Sequence, residues 1–134
     1  MAITYTWRGD IANTELNRLH AEAFETRVYD DAEWNWVELL HRHSLGWVTA
    51  RDDTTLLGFV NVLWDGLVHA WLQDTMVAKA ARRAGVGTEL VAVAVARSRE
   101  AGCEWLHVDF DEHLSSFYLE ACGFSPTDAG LIAL

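Results

Sequence analysis

Proline, cysteine and positive charge are all scarce in this sequence. One proline, Pro126, occurs in 134 residues, and no Gly/Ser-rich run is present. Nothing therefore reads as a linker, and a single domain over residues 1–134 is expected. The two cysteines, Cys103 and Cys122, are too few for a disulfide framework and read as reduced thiols. The first residues, MAITYTWRGD, lack the basic region and apolar stretch of a secretion signal. A cytoplasmic location is the expectation. No apolar run reaches the ~20 residues of a membrane span, so no membrane partner is expected. Ten Lys and Arg stand against twenty Asp and Glu, a net charge of −10. That balance argues against a nucleic-acid partner, which would require a basic face, and favours cationic or neutral small molecules.

Against that acidic background, Lys79, Arg82 and Arg83 put three of the ten cations within five residues, with no acid among them. The surrounding pattern gives them a context. ITYTW (3–7) alternates as a short strand. Asn13 or Thr14 is the expected cap of a helix to about Phe24, with Leu16, Leu19, His20 and Ala23 on one face. Asp30 or Asp31 is the expected cap of a second helix to about His43. Strands are expected at 46–51, 56–64 and 68–78, separated by turns at Asp52-Asp53 and Asp65-Gly66. A helix spans 85 to about 100, a strand 104–110, a short helix 115–122, and a last strand falls within 124–134. The order β-α-α-β-β-β-α-β-α-β specifies an α/β (α+β mixed) fold. It has a mixed, mostly antiparallel sheet of about six strands flanked by four helices.

The cations thus lie between a strand and a helix, in RRAGVG (82–87). A helix N-terminus exposes unpaired N–H groups and partial positive charge. Gly85 and Gly87 leave those groups uncovered, and Arg82 and Arg83 add charge. The pattern fits a phosphate cradle and equally a tight turn before a buried helix. It is not a Walker loop, because no Gly-Lys-Ser/Thr follows, and not a full Rossmann fingerprint, because position 90 is leucine.

Arg82-Arg83-Ala84-Gly85-Val86-Gly87 resembles the Arg/Gln-x-x-Gly-x-Gly/Ala signature of the GCN5-related N-acetyltransferases (GNAT family). Here it follows the strand end Thr75-Met76-Val77. Farther on, Phe117-Tyr118-Leu119-Glu120-Ala121-Cys122-Gly123-Phe124 resembles the family's aromatic-Tyr pair followed by Gly-Phe. The element order matches as well. The resemblance implies a GNAT fold and a single N-acetyltransferase domain with acetyl-CoA as cosubstrate and no metal. The acyl acceptor would be an amine of a small molecule or peptide. Many members have two strands after Gly-Phe, whereas ten residues follow Phe124 here. A missing strand is then either dispensed with or supplied by a partner, so a homodimer is among the expectations.

The same resemblance assigns roles. The pyrophosphate would lie on the N–H groups of Arg83, Ala84, Gly85, Val86, Gly87 and Thr88, beside Arg82, and the pantetheine arm along Met76 and Val77. Tyr118 matches the general acid that protonates the departing thiolate, and Asp74 a commonly acidic position before the loop. Gln73, beside it, cannot take a proton. The acceptor pocket would draw on Glu33, Trp34, Trp36, Glu38, Trp64, Trp71 and Gln73. Two other readings stand beside this one. The first is a GNAT-fold protein that binds or senses acyl-CoA without catalysis. The second is a divalent-metal module using His107, Asp109, Asp111 and His113, with His41 and His43 as further ligands.

Overall fold

The computed structural model describes residues 2–134. Five strands form one sheet in the order β1-β2-β3-β4-β5: β1 (Ile3–Trp7), β2 (Ser44–Asp52), β3 (Thr55–Trp64), β4 (His69–Val77) and β5 (Trp105–Val108). The first three pairings are antiparallel, and β4 pairs with β5 in parallel. The parallel step needs a crossover, which α3 (Val86–Glu100) supplies. The hairpins turn at Asp53, in a left-handed conformation, and at Asp65, whose carboxylate caps Leu67 N–H at 2.7 Å.

Helices cover both faces of the sheet. On one face α3 buries Val86, Leu90, Val91 and Ala94, and its Val86 and Leu90 lie over Gly58 of β3. On the other face, α1 (Asn13–Phe24) buries Leu16 and Leu19, and α2 (Trp36–His43) buries Trp36 and Leu40. Trp36 meets Phe59 edge-on at 6.0 Å. Truncating a fully buried leucine such as Leu90 to alanine should cost about 2–5 kcal/mol.

Three local expectations are corrected. α1 is capped at Ala12, where Glu15 reaches back to the backbone N–H, and Asn13 and Thr14 instead hold the α1–α2 connection. α2 starts at Trp36, with Asn35 accepting from Glu38 N–H; Asp30 and Asp31 stabilise the preceding turn. Residues 124–134 form no strand, so the sheet has five strands. Leu131, Ile132 and Leu134 are almost fully exposed. The last helix is a single π-type stretch, Ser116–Ala121, closed by Gly123 with φ of 82°.

Asn17 explains why the α1–α2 connection is ordered. Its side chain is fully buried and its amide is satisfied on both ends. It donates to Asp31 at 3.0 Å and to the Trp34 carbonyl at 3.2 Å, and accepts from Trp36 Nε1 at 2.8 Å. A buried amide paired this way orders its surroundings; left unpaired it would destabilise the fold.

Candidate active site

The chemistry-bearing residues converge where the β3–β4 ladder is interrupted. Phe59 stands opposite Met76 and Asn61 opposite Gln73, so two steps along β3 match three along β4. The surplus falls at Asp74 and Thr75 and makes a β-bulge. Asp74 absorbs the distortion with φ of 56°, a left-handed conformation that Asp adopts more readily than most residues. Just beside the bulge the sheet opens. The β4–β5 pairing ends at Leu72–Val108, while β4 runs on to Val77. From Gln73 to Val77, the edge of β4 away from β3 pairs with no strand among the described residues. Such an edge is a template for an extended ligand.

Two titratable groups belong to the bulge, Asp74 as part of it and Tyr118 through a bond to Thr75. Asp74 is half-buried, and burial pushes its carboxyl from 3.8 up to about 6, because desolvation penalises the charged form. Tyr118, buried, donates its hydroxyl to Thr75 Oγ1 at 3.2 Å. Its ring stacks on Phe110 at 4.9 Å and meets Phe117 edge-on at 4.8 Å. Burial raises the phenol above its ordinary value, which keeps the hydroxyl protonated at neutral pH. Thr75 enters the sequence reading only as part of the strand end before the loop, with no role of its own; its bond to Tyr118 is new.

The loop after β4 carries unpaired positive charge. Lys79–Ala81 form a 3₁₀ turn, and Arg83 and Gly85 take left-handed backbone, with φ of 67° and 76°. Arg82 donates to the Val77 carbonyl at 3.4 Å. Among the described residues, Lys79, Arg82 and Arg83 form no ion pair with a carboxylate. Helix α3 has no side-chain cap at Gly85, and its first internal bond runs from Glu89 N–H to the Gly85 carbonyl. The N–H groups of Val86, Gly87 and Thr88 are thus left without a helical partner. A Cβ on Gly85 would meet open space but would sit on a strained backbone, whereas one on Gly87 would lie 3.1 Å from the Phe117 ring. Packing against Phe117 is therefore a reason for glycine at 87 that the motif alone did not reveal.

The acceptor candidates separate. Residues directly opposite across a ladder share a face, so Trp71, Gln73, Leu63, Asn61, Phe59 and Met76 all lie on the α1/α2 face. His107, opposite Trp71, joins them. Trp64 pairs with Ala70 and points to the α3 face, away from Trp71 and Gln73. Trp36 is core. Glu33 is held by Arg27 at 2.6 and 2.9 Å and by Asp30 N–H, and these bonds pull its carboxyl down to about 2. Glu38 pairs with Arg42 at 3.4 Å. Trp34 stacks on Tyr29 at 5.6 Å and is 40% exposed. His107, Asp109, Asp111 and His113 do not line up on one strand, since β5 ends at Val108 and Asp111 caps a 3₁₀ turn. Among the described residues no three His, Cys, Asp or Glu side chains gather to hold a metal. Two surface cavities lie elsewhere, one between α3 and β5 around Cys103 and one around Asp10 and Arg51.

Residues 11–124 match the profile of the Acetyltransferase (GNAT) family. The chain belongs to the GNAT acetyltransferase family. No curated protein matches it by sequence. Solved GNAT-like structures are similar over nearly the whole chain. One is a GNAT-family acetyltransferase from Streptococcus pneumoniae TIGR4, 20% identical with a TM-score of 0.79, covering 99% of this chain and 98% of its own. Glucosamine-6-phosphate N-acetyltransferase from Arabidopsis thaliana is 16% identical with a TM-score of 0.77, covering 98% of each chain. The aminoglycoside N-acetyltransferase AAC(6')-Iy, solved with a CoA-containing bisubstrate analogue and with CoA, is 19% identical in the first of these, with a TM-score of 0.78. The overlap covers 100% of this chain and 98% of that one. At these identities the likeness establishes the GNAT fold. No helix among the described residues is long and apolar enough to cross a membrane.

Proposed function

We propose that this GNAT domain acetylates an amine from acetyl-CoA, and that the bulge at Asp74–Thr75 is where the reaction takes place. The observation that carries this reading is an open β4 edge whose bulge contains half-buried Asp74 and, at Thr75, receives the hydrogen bond of the buried Tyr118 phenol. The residues fit the cosubstrate. Free N–H groups of Val86, Gly87 and Thr88, with Arg82 and Arg83 beside them, suit a diphosphate. The unpaired edge of β4 through Met76 and Val77 suits an amide-bearing extended arm. Acetyl-CoA, when bound, supplies a thioester as acyl donor.

The chain's own groups then have defined tasks. Asp74 takes a proton from the acceptor ammonium, leaving the nitrogen lone pair free to form the C–N bond. Its pKa near 6 keeps it mostly ionised at neutral pH yet basic enough to accept. Tyr118 Oη gives its proton to sulfur as the C–S bond breaks, the second proton shed by nitrogen as the amide forms restores the phenol, and Asp74 releases its proton to solvent. Thr75 Oγ1 orients that hydroxyl until the donor arrives. Calorimetry with CoA and turnover with an amine panel, followed by thiol release, test the proposal together. Binding in the micromolar range, near −8 kcal/mol, is expected. No binding at millimolar CoA would refute it.

A further inference from the structure

Two imidazoles meet across β4 and β5, neither with a task in acetyl transfer. His69 Nδ1 lies 2.8 Å from His107 Nε2, one nitrogen donating and the other accepting. The two residues stand on adjacent parallel strands and on one face, His69 opposite Trp105 and His107 opposite Trp71. Trp71 stacks on both rings, on His107 at 5.0 Å and 17° and on His69 at 6.0 Å and 28°. The His69 backbone N–H is anchored to the Asp65 carboxylate at 3.2 Å, at the start of β4. The pair is thus pre-organised by the ladder and by an indole. It is also open to solvent, since His107 is exposed and His69 only half-buried.

The spacing of the two nitrogens suits a metal ion. Imidazole nitrogens about 2.0–2.1 Å from one ion are about 2.9 Å apart at a right angle and about 3.3 Å apart at a tetrahedral one. The observed 2.8 Å fits the right angle, which Ni²⁺ and Cu²⁺ prefer and Zn²⁺ does not. A turn of each ring aims both lone pairs at one point. The proton shared in the hydrogen bond then passes to the outer nitrogen of its own ring, so two neutral imidazoles ligate with no net loss of a proton. No third His, Cys, Asp or Glu side chain gathers with them among the described residues, so water completes the coordination. Asp109 and Asp111, two and four residues after His107, are exposed and form no ion pair among the described residues. Their field, on a chain of net charge −10, draws a cation to this end of the sheet. Of the four ligands that the sequence offered, only His107 belongs to this pair.

We propose that His69 and His107 form a bidentate surface site for a late first-row divalent ion, Ni²⁺ or Cu²⁺, which clasps the short strand β5 to β4. The test titrates untagged protein with Ni²⁺ by calorimetry and follows thermal melting with and without the ion. One equivalent should bind in the micromolar range, as two ligands allow, and should raise the melting temperature because the unfolded chain does not hold the two rings together. His69→Gln and His107→Gln should each weaken binding about tenfold or more and abolish the rise in melting temperature, while His43→Gln and His113→Gln should do neither. Mg²⁺, a hard ion that calls for oxygen ligands, should not bind. Independently of any substitution, the electron paramagnetic resonance spectrum of the Cu²⁺-loaded wild type should carry hyperfine structure from two imidazole nitrogens. No saturable Ni²⁺ binding at millimolar concentration, binding indifferent to His69→Gln or His107→Gln, equal binding of Mg²⁺, or a Cu²⁺ spectrum with oxygen ligation alone overturns the proposal. Acetyl transfer is tested separately by CoA binding and amine turnover, and neither result decides the other.

Discussion

The loop between β4 and α3 and the loop between α1 and α2 are both exposed and both rich in charge, yet they use it in opposite ways. In the first, among the described residues, Arg82 and Arg83 meet no carboxylate and three helix N–H groups have no helical partner. In the second, Arg27 is closed on Glu33, Asp31 on Thr14 and Asn17, and Asn35 on Glu38 N–H. Hydrogen-bonding capacity left unused at a surface is cheap, since water fills it. Left unused in a conformation that requires left-handed Arg83, however, it marks a segment shaped for something other than its own stability. The paired loop shapes the protein, and the unpaired loop is the one the proposed function gives to the cosubstrate.

Substitutions can break this contrast at several strengths. The largest effect is expected at the bulge. Tyr118→Phe keeps the ring packed on Phe110 but removes the proton, and kcat should fall on the order of 100-fold or more with CoA affinity little changed. Unaltered kcat would reduce Tyr118 to a packing residue. Next comes the unpaired loop. Replacing Arg82 and Arg83 together by alanine should weaken CoA binding about tenfold or more and flatten its dependence on salt, with melting temperature unchanged. A loss of stability instead would place these arginines in the fold and dissolve the contrast.

Gly87→Val sharpens the comparison, because the position answers to both roles. A side chain there meets Phe117 at 3.1 Å, so a drop in melting temperature is expected along with weaker CoA binding. Normal CoA affinity in a folded Gly87→Val protein would contradict the phosphate reading of the helix start. Asp74→Asn is subtler. Burial raises the carboxyl from 3.8 to about 6, so the folded state binds its proton more tightly than the unfolded chain. Ionised Asp74 therefore costs stability above about pH 6 and costs none below about pH 4. The asparagine variant should be more stable by about 1–2 kcal/mol at pH 8, with the gain gone at pH 4, while amine turnover falls. A variant less stable at pH 8 would assign Asp74 a structural bond. The smallest effect belongs to the paired loop: Glu33→Gln removes an exposed ion pair and should leave CoA affinity unchanged and the melting temperature nearly so, by thermal scanning.

Period and punctuation made most of this fold legible. The 3.6-residue spacing of Val86, Leu90 and Ala94 marked α3, and Gly102 and Gly123 marked two helix ends, both with positive φ. Local chemistry misled where tertiary partners outbid it. Asp30 and Asp31 are good caps in isolation, but buried Asn17 claims Asp31 from across the connection and moves the helix start to Trp36. A last strand is expected within 124–134, yet no ladder forms there. The candidate cofactor loop was readable because it is one continuous segment. The bulge was not, since an extra residue appears only once β4 is laid against β3, and with it came the bond between Thr75 and Tyr118, to which no motif pointed. Trp64 and Trp71 look alike in sequence, and only the register sends them to opposite faces.

The surplus residue at Asp74–Thr75 also acts as a phase shifter. It lets Trp71 and Gln73 share a side with Met76, although their numbers differ in parity. Deleting one residue there would force a choice on β4. Either its first half rolls over, driving Trp71 and Gln73 under α3 and lifting Ala70 and Leu72 out of the core, or Met76 is torn from Phe59. A one-residue deletion at this place is thus equivalent to exchanging several side chains between oil and water. The same deletion in the exposed Gly66–Leu67 turn would only tighten a hairpin.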